Sequence, residues 1–534
     1  MRQLLKPSTI LLALLGGSLS YSQDSIDTLP SYQGFRGVVN TPNAEVQQEG
    51  EFELLFTNQV EDLTPSSSLD FRESKDEENY FINMGVLPNL DATLRYSYGE
   101  NSLNNHPFIS DRIINLKYQI PFISKDIVTL AIGTQDLGGT SSYLTSYYAV
   151  LSKSIQNIRA SIGYAQGDTI AALDGIFGSI EYQPLSWLQL GAEYDTREWN
   201  GVVKANYHTT IAQNSSNFGL MAKGSSDYNE FYIGLYANSN FNHPQTNRAW
   251  SEFYVSGDHF KPTLTFEPDF ILVDGSEYGH MDYTVALNSE LSMRLFDHTI
   301  ISGQYNIPLS MTDNFDEGGI FAYRNRHKTT PNIDQILLSQ YLPIDTTYPW
   351  ISLLQIGRFD KELEGVSLES GVSSPNGNHR VMLKATYLQD DLYTHMDQYM
   401  DKNREEKLLS YQYHTERINS NIKLTGGEFL YGDKGVMLGF KRYFTNITLG
   451  VDVAYTHHTY KGSNKVGRLT LSMPFGTTKV LKTPYLDIQT GDITYVRRKT
   501  LATETETNYA QPLHLNEVDN HFTLESYFLD KKHF

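Results

Sequence analysis

Cysteine is absent from all 534 residues. No disulfide framework, thiol nucleophile or thiolate metal site is therefore available, and an oxidising compartment presents no difficulty. No run of ~20 apolar residues, the length a membrane-spanning helix needs, occurs beyond the N-terminus. The mean hydropathy is negative, which excludes a polytopic helical membrane protein. Positive charge is also scarce, with 42 Lys and Arg against 62 Asp and Glu and a formal net charge of -20. Nucleic acid demands a basic footprint, so it is not the expected partner. Acidity of this size instead suits the solubility of long exposed loops. Catalytic signatures are missing too: no H-E-x-x-H, G-x-S-x-G or Walker-type run is found.

Aromatics and alternation are abundant. The chain holds 36 Tyr and 26 Phe, and its organising unit is shown by residues 178–195, GSIEYQPLSWLQLGAEYD. Ile180 and Tyr182 share one face, and Ser179, Glu181 and Gln183 the other. After Pro184 and Ser186 the pattern resumes, with Leu188, Leu190, Ala192 and Tyr194 opposed to Gln189, Gly191, Glu193 and Asp195. Strand side chains alternate between faces, so this predicts two antiparallel strands and a tight turn. The unit recurs around Leu87-Pro88-Asn89, before and after Pro121, in Ile301-Gly303-Tyr305 up to Pro308, and on both sides of Phe444-Thr445-Asn446.

Roughly two dozen strands of this kind, close to the ~10 residues a membrane strand needs, predict an all-β transmembrane antiparallel β-barrel. One large barrel or two smaller ones would use the same number. A large soluble β protein, such as a propeller or sandwich array, is the competing reading. No composition shift or linker marks a boundary between domains.

Met1–Ser22 reads as a secretory signal peptide. Arg2 and Lys6 precede the apolar Ile10–Leu15, and Ser20 and Ser22 supply the small residues that signal peptidase reads. Residues 23–50, rich in Gly, Asn and Pro, read as a plug or turn segment. Residues 51–475 read as the barrel region, with Phe52, Leu54 and Phe56 opening its first strand, and 476–534 as C-terminal strands or tail. The terminal Phe534 suits an outer-membrane barrel. The last sheet strand could also lie upstream, at Leu469, Leu471 and Met473.

The polar faces decide what the interior holds. Alternation points Arg95, Lys117, Lys204, Lys384 and Lys423 into the lumen, together with Glu181, Glu193 and Asp452. Such charges either pair with one another and fill the lumen or form a track that contacts a hydroxyl-rich or polyanionic glycan. The run 70–78, DFRESKDEE, lacks the spacing of a calcium loop and reads as a solvated loop. His457 and His458 are adjacent on a strand, point to opposite faces and cannot share a metal. Asp390 and Asp391 meet the same obstacle as an acid/base couple. No cofactor is expected, and the chain is not expected to be an enzyme.

The segment GF-x-G-x-x-N-T-P-N-A, Gly34 to Ala44, resembles the opening of the YjbH-type family of outer-membrane barrels associated with exopolysaccharide and capsule production. Gly357 to Ser370 (GRFDKELEGVSLES), the strand Arg380 to Gln389, and Leu424 to Phe444 (LTGGEFLYGDKGVMLGFKRYF) are similar to its second half. The resemblance is scattered over about 32–475. It implies a protein of the Gram-negative outer membrane that takes part in making, exporting or anchoring an extracellular polysaccharide by non-covalent contact. Polysaccharide, outer-membrane lipid and periplasmic or lipoprotein components of the same pathway would be its partners. A general porin is the alternative, and a barrel hydrolase or lipid-modifying enzyme a third.

Overall fold

The computed structural model describes residues 26–58, 78–101, 106–124, 127–137, 145–167, 173–211, 214–226, 232–241, 259–276, 279–316, 329–344, 346–360, 363–390, 403–430, 432–444, 447–459, 462–474 and 481–503. The expected signal peptide, the 70–77 run, Asp391 and Phe534 lie outside them. The chain divides into two units, Met1–Asn242 and His243–Phe534, a division that no change of composition announces.

The first unit is a closed barrel of β1 (Glu51–Asn58), β2 (Glu78–Leu87), β3 (Leu90–Asn101), β4 (His106–Gln119), β5 (Thr129–Leu137), β6 (Ser146–Ile155), β7 (Ile158–Gly167), β8 (Gly175–Leu185), β9 (Leu188–Tyr194), β10 (Trp199–Ile211), β11 (Asn214–Ser225) and β12 (Tyr232–Asn240). Each strand pairs antiparallel with the next, and β1 closes on β12 from Glu51↔Asn240 to Thr57↔Gly234. The organising hairpin forms as β8 and β9, turning at Ser186-Trp187. A register shift between Tyr182 and Leu185 absorbs Pro184, which could not donate to the ladder. Its two faces part as the alternation predicts. Ile180 (59% exposed) and Tyr182 face outward, while Glu181 (1%), Gln189 and Glu193 are buried inside.

The second unit is one 15-stranded sheet. Its strands are β13 (Pro262–Ser276), β14 (Gly279–Phe296), β15 (Thr299–Met311), β16 (Asn332–Ile344), β17 (Trp350–Asp360), β18 (Leu363–Ser373), β19 (His379–Asp390), β20 (Asn403–Thr415), β21 (Ser420–Glu428), β22 (Lys434–Tyr443), β23 (Thr448–His458), β24 (Gly462–Pro474), β25 (Leu481–Lys482), β26 (Asp487–Thr490) and β27 (Asp492–Thr503). Strands β13 to β24 form an antiparallel meander. The last strands bring its two ends together: β27 pairs with β24, while β26, one residue upstream, pairs in parallel with β13. Between them the Gly491 amide donates to Phe266 O (2.8 Å), and Phe270 of β13 stacks on Tyr495 of β27 (5.8 Å).

Two expectations change here. Pro308 does not end a strand. It lies inside β15 at a bulge, Val285 pairing with Ser310 and Ala286 with Pro308, where a missing N–H is tolerated. Leu469, Leu471 and Met473 belong to β24, and β27 follows as a further sheet strand. Two glycines in the segments 357–370 and 424–444 have a clear structural role. Gly357 and Gly427 have φ of +143° and +145°, and a Cβ on either would sit 2.1 Å from Ile336 O or 2.0 Å from Lys407 O. Only glycine allows those neighbouring strands to approach so closely. The following Phe359 and Phe429 turn inward and are buried.

Candidate functional site in the barrel lumen

Residues 26–50 lie inside the first barrel. Tyr32, Val38, Val39, Thr41, Asn43 and Ala44 are fully buried, and Arg36 is 1% exposed. The segment runs in beside one set of tight turns and returns to the same rim. The Ile26 amide donates to Gln156 O (3.1 Å) and that of Gly50 to Gly85 O (2.9 Å). Gly and Pro-Asn chemistry folds it tightly. Gly34 has φ +89°, and bridges join Pro30 to Arg36 and Gly37 to Pro42. These reversals leave the backbone N–H groups of residues 39–41 converging on one point.

Glu193 of β9 occupies that point. Its carboxylate accepts from the amides of Val39 (2.8 Å), Asn40 (2.7 Å) and Thr41 (3.0 Å), and from the Thr41 hydroxyl (2.7 Å). Successive amides around an anion make a backbone nest. Here the nest belongs to the lumen segment and the anion to the wall. Asn40 and Asn43 continue the contact, donating to Asp195 (2.7 Å) and Glu181 (3.0 Å).

Opposite charges are matched in the same way. Arg36 donates to Glu53 (2.8 Å) and Glu51 (2.6 Å). Burial alone would lower the guanidinium's pKa, but the two carboxylates outweigh it and hold the pKa above the usual arginine value. Lys204 donates to Gly37 O (2.6 Å), and Lys117 to Arg36 O (3.2 Å) and Asn43 O (3.4 Å). Arg95 donates to Gln33 (3.2 Å) and faces Asp136 at 3.6 Å. Tyr32 donates to Tyr232 O (2.8 Å), with the Lys223 ammonium 5.6 Å from its ring centre.

Arg95, Lys117 and Lys204 are thus lumen-facing and hold the chain's own N-terminal segment. Lys384 and Lys423 belong to the second unit. Lys384 pairs with Glu406 (3.0 Å) and Glu369 (3.8 Å). Lys423 borders a recess with Asn421, Met437, Gly439, Lys441, Asp452 and Arg468, where Asp452 pairs with Arg468 at 2.7 Å. His457 is exposed and His458 buried, on opposite faces of β23. Among the described residues no group of three or more His, Asp or Glu is placed to hold a metal.

Sequence reasoning missed Glu53 and Lys223, and it put Asp195 on the polar face without a partner. Alternation carries a signal for Glu53, which opposes Phe52, Leu54 and Phe56. It also carries one for Lys223, which shares a face with Met221. Asp195 lies just beyond β9, and only the fold brings it to Asn40.

No curated protein matches this chain. Residues 30–172, which run from the lumen segment through β7, match the model of the YjbH family, described as exopolysaccharide biosynthesis protein YbjH.

Proposed function

We propose that the protein is a non-catalytic outer-membrane β-barrel that takes part in exopolysaccharide production, export or surface anchoring. One observation carries the membrane part: the first barrel turns an apolar face outward and buries charge inside, beside apolar clusters around Tyr32 and Phe177. Its outward face exposes Ile162 (60%), Tyr164, Ile176, Tyr207 and Leu235, while Glu53, Lys117, Glu181, Glu193 and Lys204 are buried inside. Soluble monomers rarely expose contiguous apolar surface of this extent, and a lipid-facing wall requires it. Closure pairs the strand edges, as a bilayer demands of any spanning structure. The family match to 30–172 supports the exopolysaccharide part. Diffusion of small solutes through this barrel is the weaker reading, because residues 26–50 fill its lumen.

The outward wall provides a direct test. Ile162→Lys places a charge mid-strand, which in a bilayer costs about 2–4 kcal/mol and in water almost nothing. The variant is expected to fold less stably in lipid vesicles than the parent, by denaturant titration. Equal stability would remove the lipid-facing assignment.

The polysaccharide role is tested in a strain lacking the protein, by measuring polymer released, held on the surface and retained in the periplasm. Loss outside with periplasmic build-up is the result expected for export. Loss from the surface with full release indicates anchoring. No change, where the parent makes polymer, overturns the role.

A further inference from the structure

The two halves of the second sheet carry opposite charge on their inner faces. Among the described residues from β13 to β18 the inward charges are Glu267, Asp269, Asp282, Glu290, Asp334 and Glu369, with Arg294 of opposite sign at the rim. Their direction follows from the pleat: Thr263 and Thr265, on the face of Glu267 and Asp269, are buried, and Asn288 of the inner face donates to Asp269 (3.1 Å). From β19 to β24 the inward charges among the described residues are Arg380, Lys384, Arg404, Lys423, Lys441 and Arg468, countered by Glu406 and Asp452. Because the strands after β24 return to β13, these halves form facing walls. Lys384 and Glu369 meet at 3.8 Å where one wall gives way to the other.

Within the basic half Lys384 pairs with Glu406 and Arg468 with Asp452. The sum on each wall nevertheless keeps its sign, and that leaves a field across the interior, which low-dielectric walls focus. In the first barrel the lumen lysines are enclosed: Lys117 and Lys204 are each 1% exposed, against backbone carbonyls of residues 36–43. Lys423 and Lys441 are only half-buried and flank Arg468 around a recess.

We propose that the inner face of the second unit binds an acidic polysaccharide strand. Its carboxylate groups would lie against Lys423, Lys441 and Arg468, and its hydroxyls would donate to the carboxylates of the facing wall. A cationic wall recognises the anion through charge-assisted hydrogen bonds. Ionised Asp and Glu only accept, so sugar hydroxyls are their natural partners. The proposal rests on the exopolysaccharide reading and adds to it the charge of the polymer and its place in the chain.

The test is binding to the purified full-length protein in detergent, with oligogalacturonate of eight residues as the acidic probe and maltooctaose as the neutral one. The acidic probe is expected to bind at least tenfold tighter, to weaken as NaCl rises from 50 to 500 mM, and to lose about tenfold in affinity in Lys423→Gln/Lys441→Gln. The salt series uses the unaltered protein and so does not depend on the variant folding. Equal binding of the two probes overturns the proposal, as does salt-independent binding or an unaffected folded variant. Binding of neither probe overturns it too, while polymer partition in the deletion strain would separately decide the exopolysaccharide reading.

Discussion

Glu193→Ala is expected to release the lumen segment and destabilise the first barrel by about 3–5 kcal/mol, the scale of removing one partner from a buried, hydrogen-bonded charge cluster. The alanine would leave three backbone amides and the Thr41 hydroxyl without their acceptor in a fully buried site. No water-exposed route rescues them, since Val39 and Thr41 are 0% exposed. Glu193→Gln keeps an acceptor oxygen but turns an amide donor toward other donors, and should fall between the two. The measurement is thermal unfolding in detergent, paired with limited proteolysis of residues 26–50. An alanine variant whose N-terminal segment stays as protected as the parent's would show that the nest contributes little to holding it.

Deleting residues 27–47 should have the largest effect on transport. The deletion removes the partners of Lys117, Lys204, Glu181 and Glu193 together, leaving a wall of charges that must be hydrated. Water entering to solvate them converts the filled lumen into an aqueous path. In planar bilayers the deletion should add a conductance absent from the intact protein. That conductance should vary with ionic strength, as charged pores do. Identical current records for the two proteins would mean that the lumen segment is not what closes this barrel.

Much of the wall was legible in the sequence, and for one reason: the pleat repeats every two residues, so a face can be read without knowing what it meets. Ile180 and Tyr182 outward, with Glu181 and Glu193 inward, follow from that alone. The inward direction of Arg95, Lys117 and Lys204 follows equally. What they touch does not, because the segment they hold has no period. Its contacts are set by Gly34, by the turn at Pro42 and by partners more than 150 residues away, such as Glu193. The YjbH-like motif at Gly34 to Ala44 was visible as a resemblance, yet nothing in its spacing says that residues 39–41 form an anion nest. The family-model match covers 30–172 and not the later segments around Gly357 and Gly427. Residues 476–534 read as C-terminal strands or tail, but how the last strands pair is not legible, because they follow a different rule. A four-residue parallel pairing of β26 with β13 has no alternation long enough to announce it.

The lumen segment also dictates an order of assembly. Tyr32 is synthesised long before Tyr232, the residue whose carbonyl it holds, and 200 positions separate them. The chain passes directly from the segment into β1, which pairs with β12 to shut the barrel. Contacts of such high sequence separation cost loop-closure entropy before they return any stability. A nascent chain that ends before β12 therefore carries an unpaired β1 edge and an N-terminal segment with only part of its wall. Closure of this unit waits on β12, and an unpaired strand edge of that kind is a template for pairing with another chain until it is covered.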